Sequence, residues 1–242
     1  MFTWDDTLLT WLNHLVALNP QTFVVSLFLS NRVPYILSAL TLVALWFQGE
    51  ESLAAQRPGQ LTRQESRCRV ILIFVSAVLA FILARFADNL IFRPRPLVDF
   101  PLQVPLDPQA WSEIVAAFKS DNAFPSDNAA FWFALAAGLF SYNRRAGWGA
   151  VLAGLLFSLL RVGLGYSYPT DIIAGACLGI LTWVGVFSIG DRLTWITHFT
   201  LQFFEKAPML AYPLGLGLLL DITQQLRWIF AGLTILFGIR LG

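Results

Sequence analysis

Residues 161–190 read RVGLGYSYPTDIIAGACLGILTWVGVFSIG, a polar segment that runs directly into a long apolar stretch. A helix that crosses a bilayer needs roughly 20 mostly apolar residues, because lipid cannot hydrogen-bond to backbone N–H and C=O groups. Five stretches meet this requirement: 22–48, 70–92, 127–141 if it starts near Phe124, 147–166 and 170–190. The sequence therefore predicts an all-α, polytopic membrane helix bundle with five clear spans.

The two ends of the chain are less regular. Residues 208–220 and 226–241 are apolar but short, so they are two short spans, a re-entrant hairpin, or one span and an interfacial piece. Near the N-terminus an apolar stripe predicts an amphipathic helix in the membrane interface, not a cleaved signal. The stripe consists of Trp4, Leu8, Leu12 and Leu15, and the polar residues Asp5, Asp6 and Asn13 lie off it.

The composition also argues for a membrane protein. Of 242 residues 57% are hydrophobic and 13% are charged, whereas soluble domains carry about 25% charged residues. The net charge of +1 provides no field that would attract nucleic acid. A soluble enzyme, a disordered tail and a nucleic-acid binder are therefore not expected. We expect one membrane domain over 1–242, with a core at about 70–190 and a C-terminal extension at about 194–242.

The distribution of arginine predicts the orientation in the membrane. Positive residues favour the cytoplasmic side, and they are concentrated in loops 49–69 and 141–147 and at Arg192. The 93–123 loop, which mixes acidic and basic residues, then faces outward, toward the periplasm. The sequence thus predicts an integral plasma (inner) membrane protein.

The number of predicted spans places three polar stretches at the same side of the membrane, the outward face. They are Arg93-Pro94-Arg95-Pro96, the segment FPSDNA at 124–129, and residues 161–171. Arginines near hydrocarbon are costly and usually face a cavity, a partner or an ion path. Together with helix N-termini they would form an anion site. Ser126 or Asp127 could instead be a plain N-cap of the third span.

These stretches resemble the three motifs of the type-2 phosphatidic acid phosphatase superfamily. That superfamily includes lipid phosphate phosphatases, undecaprenyl pyrophosphate phosphatases and vanadium haloperoxidases. Its pattern is Lys, six residues, Arg-Pro; then Pro-Ser-Gly-His; then Ser-Arg, five residues, His, three residues, Asp. The matching residues here are Arg95-Pro96, Pro125-Ser126, Arg161 and Asp171. The resemblance implies that arginines and serine hold a phosphate and that Asp171 orients a nucleophilic histidine.

The departures from the family pattern concern the chemistry. Ser167 stands in the slot of the nucleophilic histidine and Asn128 in that of the general-acid histidine, while Asp88 stands in the lysine slot. The chain has only two histidines, His14 and His198, both far from these motifs in sequence. Asn128 has no proton to transfer near neutral pH, and a serine is a weak nucleophile without a base. Ordinary phosphatase turnover is not expected.

Phosphate binding is a separate matter, and we expect it to be retained by Arg93, Arg95, Ser126 and Arg161, with support from Arg85 and Asp127. Arg85 either supplies the missing lysine charge or pairs with Asp88, and the pair is favoured because an unpaired buried carboxylate is costly. A short helix starting at Asp107 or Pro108 either lies on the membrane surface or caps the pocket. No cofactor and no metal site are expected.

The favoured hypothesis is a catalytically silent relative of these phosphatases. It would bind, present or move a phosphorylated lipid, either a polyprenyl phosphate or pyrophosphate or a phospholipid. It could also belong to a membrane assembly, with the C-terminal segments as the surface for a protein partner. Two alternatives remain open: an active phosphatase or transferase with a non-histidine nucleophile, Ser167 or Asp171 or a water, and a structural subunit with a vestigial pocket.

Overall fold

Helices form nearly all of the regular structure. The structure, a computed structural model, describes residues 3–48, 62–87, 90–119 and 121–223. Those residues contain no strand, only an isolated bridge between Pro94 and Asn122. The helices are α1 (Thr3–Val16), α2 (Pro20–Asn31), α3 (Val33–Trp46), α4 (Arg63–Ala87), α5 (Pro96–Asp99), α6 (Pro108–Phe118), α7 (Asp127–Tyr142), α8 (Arg144–Gly163), α9 (Pro169–Ser188), α10 (Thr194–Lys206) and α11 (Pro208–Thr223).

Within the described residues, four segments are long and apolar enough to cross a membrane. They are Pro20–Trp46, Arg63–Ala87, Arg144–Gly163 and Pro169–Ser188. The all-α membrane bundle is therefore confirmed, while the count of five spans stays a prediction. Helix α4 begins at Arg63 and not near residue 70, so the predicted 49–69 loop is partly helix. Residues 49–61 of that loop lie outside the described residues.

The first predicted span is broken in its middle. Helix α2 ends and α3 begins at Arg32, which serves as the C-cap of one helix and the N-cap of the other. Pro34 explains the break, because proline lacks an N–H and its ring clashes with the carbonyl four residues earlier. The break leaves Asn31 and Tyr35 on either side of it, and both side chains reach the candidate site.

Helix α7 is the centre of the bundle. It has 16 residues, most of them buried, and it packs against α4, α8 and α9. Its small side chains allow close approach: a Cβ added to Gly179 of α9 would lie 2.2 Å from the Ala130 carbonyl oxygen. One added to Gly175 would lie 2.3 Å from the Ser126 carbonyl oxygen. The glycines of α9 therefore let its backbone touch that of α7.

The N-terminal helix differs from the prediction. Its buried face consists of Asp5, Leu9, Leu12, Asn13 and Val16, and it packs against α8 and α9. Trp4, Leu15 and Trp11 are exposed. Asp5 and Asn13, which lie off the predicted apolar stripe, are buried, and both side chains have hydrogen-bond partners inside the protein.

The C-terminal extension folds back onto the start of the bundle. Helix α10 contacts α4, and α11 contacts α3. Aromatic rings join these layers, with the Trp46 and Phe204 ring centroids 4.7 Å apart. The predicted apolar segment 208–220 lies in α11, while 226–241 lies outside the described residues, so the number of membrane segments here stays open.

Candidate functional site

The three polar stretches meet at one end of the bundle, where α4 ends and α7 and α9 begin. The Leu97 N–H donates to the Gly165 carbonyl at 2.9 Å, which joins the first stretch to the third. The Ser126 N–H donates to the Asp171 carbonyl at 3.1 Å, which joins the second to the third. The predicted convergence of the three stretches is present. We call this region the site end.

Arg95 and Arg161 both contact Tyr166. An Arg95 Nη donates to the Tyr166 carbonyl at 3.0 Å, and the Arg161 Cζ lies 5.2 Å from the centroid of the Tyr166 ring. Arg161 also donates to Asn31 Oδ1 at 3.0 Å, and Arg95 pairs with Asp121 at 3.3 Å. Both arginines are more than nine-tenths buried. Two guanidinium groups are thus held next to each other inside the protein.

Arg85 and Asp127 form an ion pair, with Arg85 Nε 2.9 Å from Asp127 Oδ2. Asp127 Oδ1 accepts from the Asn128 side chain at 2.7 Å, and Asn128 Oδ1 accepts from the Tyr35 hydroxyl. One ion pair and two hydrogen bonds therefore connect α4, α7 and α3 through the side chains of Arg85, Asp127, Asn128 and Tyr35. Asp88, the expected partner of Arg85, lies outside the described residues, so that pairing remains a prediction.

Arg93 lies among carboxylates. Its guanidinium is 2.5 Å from Asp171 Oδ1 and 3.3 Å from Asp5 Oδ2, and it stacks 3.9 Å above the Tyr168 ring centroid. Burial raises the pKa of the Tyr168 hydroxyl to about 12, so this phenol stays protonated at neutral pH. The contacts of Arg93 here are all internal, and its assignment to phosphate stays a prediction.

Asp5 ties α1 to this cluster. Its carboxylate accepts from the Thr170 backbone N–H at 3.1 Å and from the Thr170 hydroxyl at 2.8 Å, in addition to the Arg93 contact. The side chain is fully buried. Sequence analysis missed this residue, although its spacing with Leu9 and Leu12 on one helical face was a usable signal.

Asp5→Asn is expected to lower the free energy of unfolding by about 2 kcal/mol, since hydrogen bonds to a buried charged group contribute that much. Thermal unfolding in detergent measures the effect. Asp6→Asn is the matched control, because Asp6 is adjacent and forms no ion pair in the described part of the chain. Equal destabilisation by both substitutions would contradict a specific role for Asp5.

Ser126 and Ser167 occupy two of the family positions. Ser126 is the N-cap of α7, and its Oγ accepts from the Ala129 N–H at 3.4 Å, as the N-cap hypothesis predicts. Ser167 is 2% exposed and follows the tight turn at Gly165, whose φ of +76° suits glycine. Asp171 Oδ2 accepts from the Tyr168 N–H at 2.7 Å, which caps α9.

Helix α6 covers the site end. Asp107 caps it as predicted, and its apolar face packs against Leu97, Leu164 and Tyr166. The Phe118 and Tyr166 ring centroids are 5.3 Å apart, and the Arg95 Cζ lies 5.4 Å from the Phe118 ring centroid. Of the two alternatives for this helix, the contacts favour the one in which it caps the site.

The two histidines do not reach the site end. His14 is exposed on α1 next to the buried Asn13, and His198 is exposed on α10. Sequence analysis did not identify Asn31 and Tyr35 as site residues. Their signal was polarity inside an otherwise apolar span, which marks a functional position in a membrane helix. The described residues contain no group of three His, Cys, Asp or Glu side chains arranged to hold a metal ion.

Comparison with known proteins gives a consistent result. The PAP2 superfamily profile matches residues 68–195, more than half of the 242-residue chain. The bacitracin transport permease protein BcrC of Bacillus licheniformis is 28% identical over 197 residues, covering 81% of this chain and 83% of that protein. The undecaprenyl-diphosphatase BcrC of Bacillus subtilis (strain 168) is 25% identical over 167 residues, covering 69% and 75%. No solved structure matches.

The matched region contains all three polar stretches, most of α4, and the whole of α7, α8 and α9. The apolar helices and the similarity to the BcrC proteins indicate an integral membrane protein. On this evidence the chain belongs to the PAP2 superfamily.

Proposed function

We propose that this protein is a catalytically silent member of its family that binds, presents or moves a phosphorylated membrane lipid. One observation carries the proposal: residues 68–195 retain Arg95, Ser126, Arg161 and Asp171 but contain no histidine. The groups that would hold a phosphate are present, while those that would attack phosphorus and protonate the leaving oxygen are absent.

The remaining side chains do not replace the lost chemistry. Ser167 needs a base to become a nucleophile, and the Asp171 carboxylate is already engaged by Arg93 and by the Tyr168 N–H. The Asn128 side chain donates to Asp127 and accepts from Tyr35, and it has no ionisable proton. Tyr168 holds its proton at neutral pH, so it supplies no base either.

The names of the relatives support the proposed ligand class, and the positions of the arginines support the proposed orientation. One relative is named an undecaprenyl-diphosphatase, which makes a polyprenyl phosphate or pyrophosphate the first candidate and a phospholipid the second. The arginines at the start of α4, the start of α8 and just after α9 all lie at the end opposite the site. Under the positive-inside rule the site end faces the periplasm.

Binding without turnover is the expected result for the purified full-length protein in detergent. Undecaprenyl phosphate, undecaprenyl pyrophosphate and phosphatidate are tested for binding by protein thermal shift, and the latter two for phosphate release. Phosphate release above that of Arg161→Ala would contradict catalytic silence and favour a non-histidine nucleophile. Failure of all three lipids to bind would contradict the lipid-binding function.

Arg161→Ala is expected to weaken binding of a phosphorylated lipid by about 10- to 100-fold, because charge-assisted hydrogen bonds contribute roughly 1.5–3 kcal/mol each. Arg192→Ala is the matched control, since Arg192 is exposed and lies at the opposite end of the bundle. Asn31→Ala separates the effect of the Arg161 charge from the effect of its hydrogen bond to Asn31, because this substitution removes the hydrogen-bond partner and leaves the charge. Unchanged affinity in a folded Arg161→Ala protein would contradict the assignment.

A further inference from the structure

We infer that the site takes a lipid headgroup with a single phosphate group and discriminates against a pyrophosphate. The inference rests on the proposed function, because it specifies the ligand of the same site. It follows from the buried donors without partners and from the distribution of charge around them.

Two buried N–H groups at the site end lack an acceptor. Within the part of the chain that the structure describes, the Nε atoms of Arg95 and Arg161 have no hydrogen-bond partner. The two side chains are only 6% and 5% exposed, and both contact Tyr166. A buried donor without an acceptor costs free energy, and the oxygens of one phosphate group would satisfy two neighbouring donors of this kind.

Among the described residues, the formal charges of the site end balance without a ligand, because four arginines there lie near four carboxylates. Three of the four arginines there have a carboxylate partner within ion-pair distance: Arg85 with Asp127, Arg93 with Asp5 and Asp171, and Arg95 with Asp121. Arg161 forms no ion pair among the described residues, and its hydrogen bond goes to the neutral amide oxygen of Asn31. Arg161 is therefore the arginine of this group that a ligand can contact without displacing a carboxylate.

A site end whose described charges already balance favours the ligand with the smaller negative charge, one phosphate group over two. A phosphate monoester carries a charge of about −1.5 to −2 at pH 7, and a phosphodiester carries one negative charge. A pyrophosphate adds a second phosphate group, whose charge would be buried without a partner, and unpaired buried charge is strongly unfavourable. The substituted family positions cannot neutralise a second phosphate group, because Asn128 and Ser167 are neutral, whereas a histidine can carry a positive charge.

The geometry around Asn128 points the same way. Its Oδ1 accepts from Tyr35 and its Nδ2 donates to Asp127, so the side chain is held within the protein. Asp127 itself is bonded to Arg85. Arg85, the cation next to Asn128 and Asp127, is thus already paired with a carboxylate.

The test compares headgroups on one tail. Farnesyl monophosphate, farnesyl pyrophosphate and farnesol are titrated into the detergent-purified full chain, and binding is measured calorimetrically. We expect the monophosphate to bind about tenfold more tightly than the pyrophosphate, a difference of about 1.4 kcal/mol. A pyrophosphate that binds as tightly or more tightly would overturn this inference while leaving lipid binding intact. If neither phosphate binds better than farnesol, the proposed function itself fails.

Further arms identify the source of the phosphate and test the charge argument. Dilauroyl phosphatidate and dilauroyl phosphatidylglycerol each carry one phosphate group on a glycerolipid, so their affinities relative to farnesyl monophosphate distinguish a prenyl from a glycerolipid ligand.

Asp121→Asn removes the carboxylate that pairs with Arg95 and should reduce the preference for the monophosphate over the pyrophosphate several-fold. Glu113→Gln is its matched control, because Glu113 is an exposed acid on α6. Equal changes in both variants would contradict the charge argument.

Discussion

Introducing Asn128→His and Ser167→His together is expected to raise phosphate release from a lipid phosphate at least about 100-fold above the wild type, since general acid catalysis alone contributes about 10²–10⁴-fold. The imidazole at position 167 would attack phosphorus, forming a P–N bond as the bond to the leaving oxygen breaks. The imidazole at position 128 would protonate that oxygen, and water would then hydrolyse the phosphohistidine.

The structure identifies what the double variant must rearrange. Asp171 would have to orient the new nucleophile while it still contacts Arg93 at 2.5 Å. Ser167 is 2% exposed, so its replacement needs local space. Each single substitution should stay near the wild-type rate, because nucleophile and acid act as a unit.

Two measurements make this result interpretable. Size exclusion and thermal unfolding show whether the double variant is folded, and adding Arg161→Ala to it should abolish the gain. A folded double variant that binds lipid but releases no more phosphate than the wild type would show that the site lacks more than its histidines.

Gly179→Leu is expected to prevent stable folding or to lower the melting temperature by about 2–12 °C, since overpacking costs roughly 1–3 kcal/mol and each kcal/mol shifts the melting temperature of a chain of this size by about 2–4 °C. A Cβ at this position would lie 2.2 Å from the Ala130 carbonyl oxygen and 2.9 Å from the Ala134 nitrogen. Both contacts are with backbone, which cannot move aside as a flexible side chain could.

Gly185→Leu is the matched control for this prediction. Gly185 lies on the same helix, is exposed, and has no atom within 4 Å of an added Cβ. Replacing a helix glycine there should leave stability unchanged or slightly raised, because glycine costs about 1 kcal/mol in a helix interior. Similar stability of the two variants would contradict the close α7–α9 contact.

The architecture and the meeting of the three polar stretches could be predicted from the sequence. The length of an apolar segment indicates a membrane helix directly. Because successive membrane helices run in opposite directions, every second connection lies at the same end of the bundle. Apolarity cannot tell whether a helix faces lipid or protein, however. The predicted third span therefore looked like the others, whereas most of α7 is buried inside the bundle.

The partners within the site could not be predicted in the same way. Tyr35 and Asn128 are 93 residues apart, and Asp5 and Thr170 are 165 residues apart. No local periodicity encodes such a pairing, because it depends on how the helices pack. The family resemblance identified Arg95, Ser126 and Arg161, but it carried no information about Asp5 or Asn31, which lie before the matched region.

The hydrogen bond between Asp5 and Thr170 also constrains the order in which the helices assemble. A chain is synthesised from its N-terminus, so α1 emerges long before the residues that bury its inner face. Asp5 stays in water or at the membrane surface until Thr170, 165 residues later, has been synthesised and the first turn of α9 is formed. The site is therefore completed only after α9 has been synthesised, when this helix packs onto a segment that was translated much earlier.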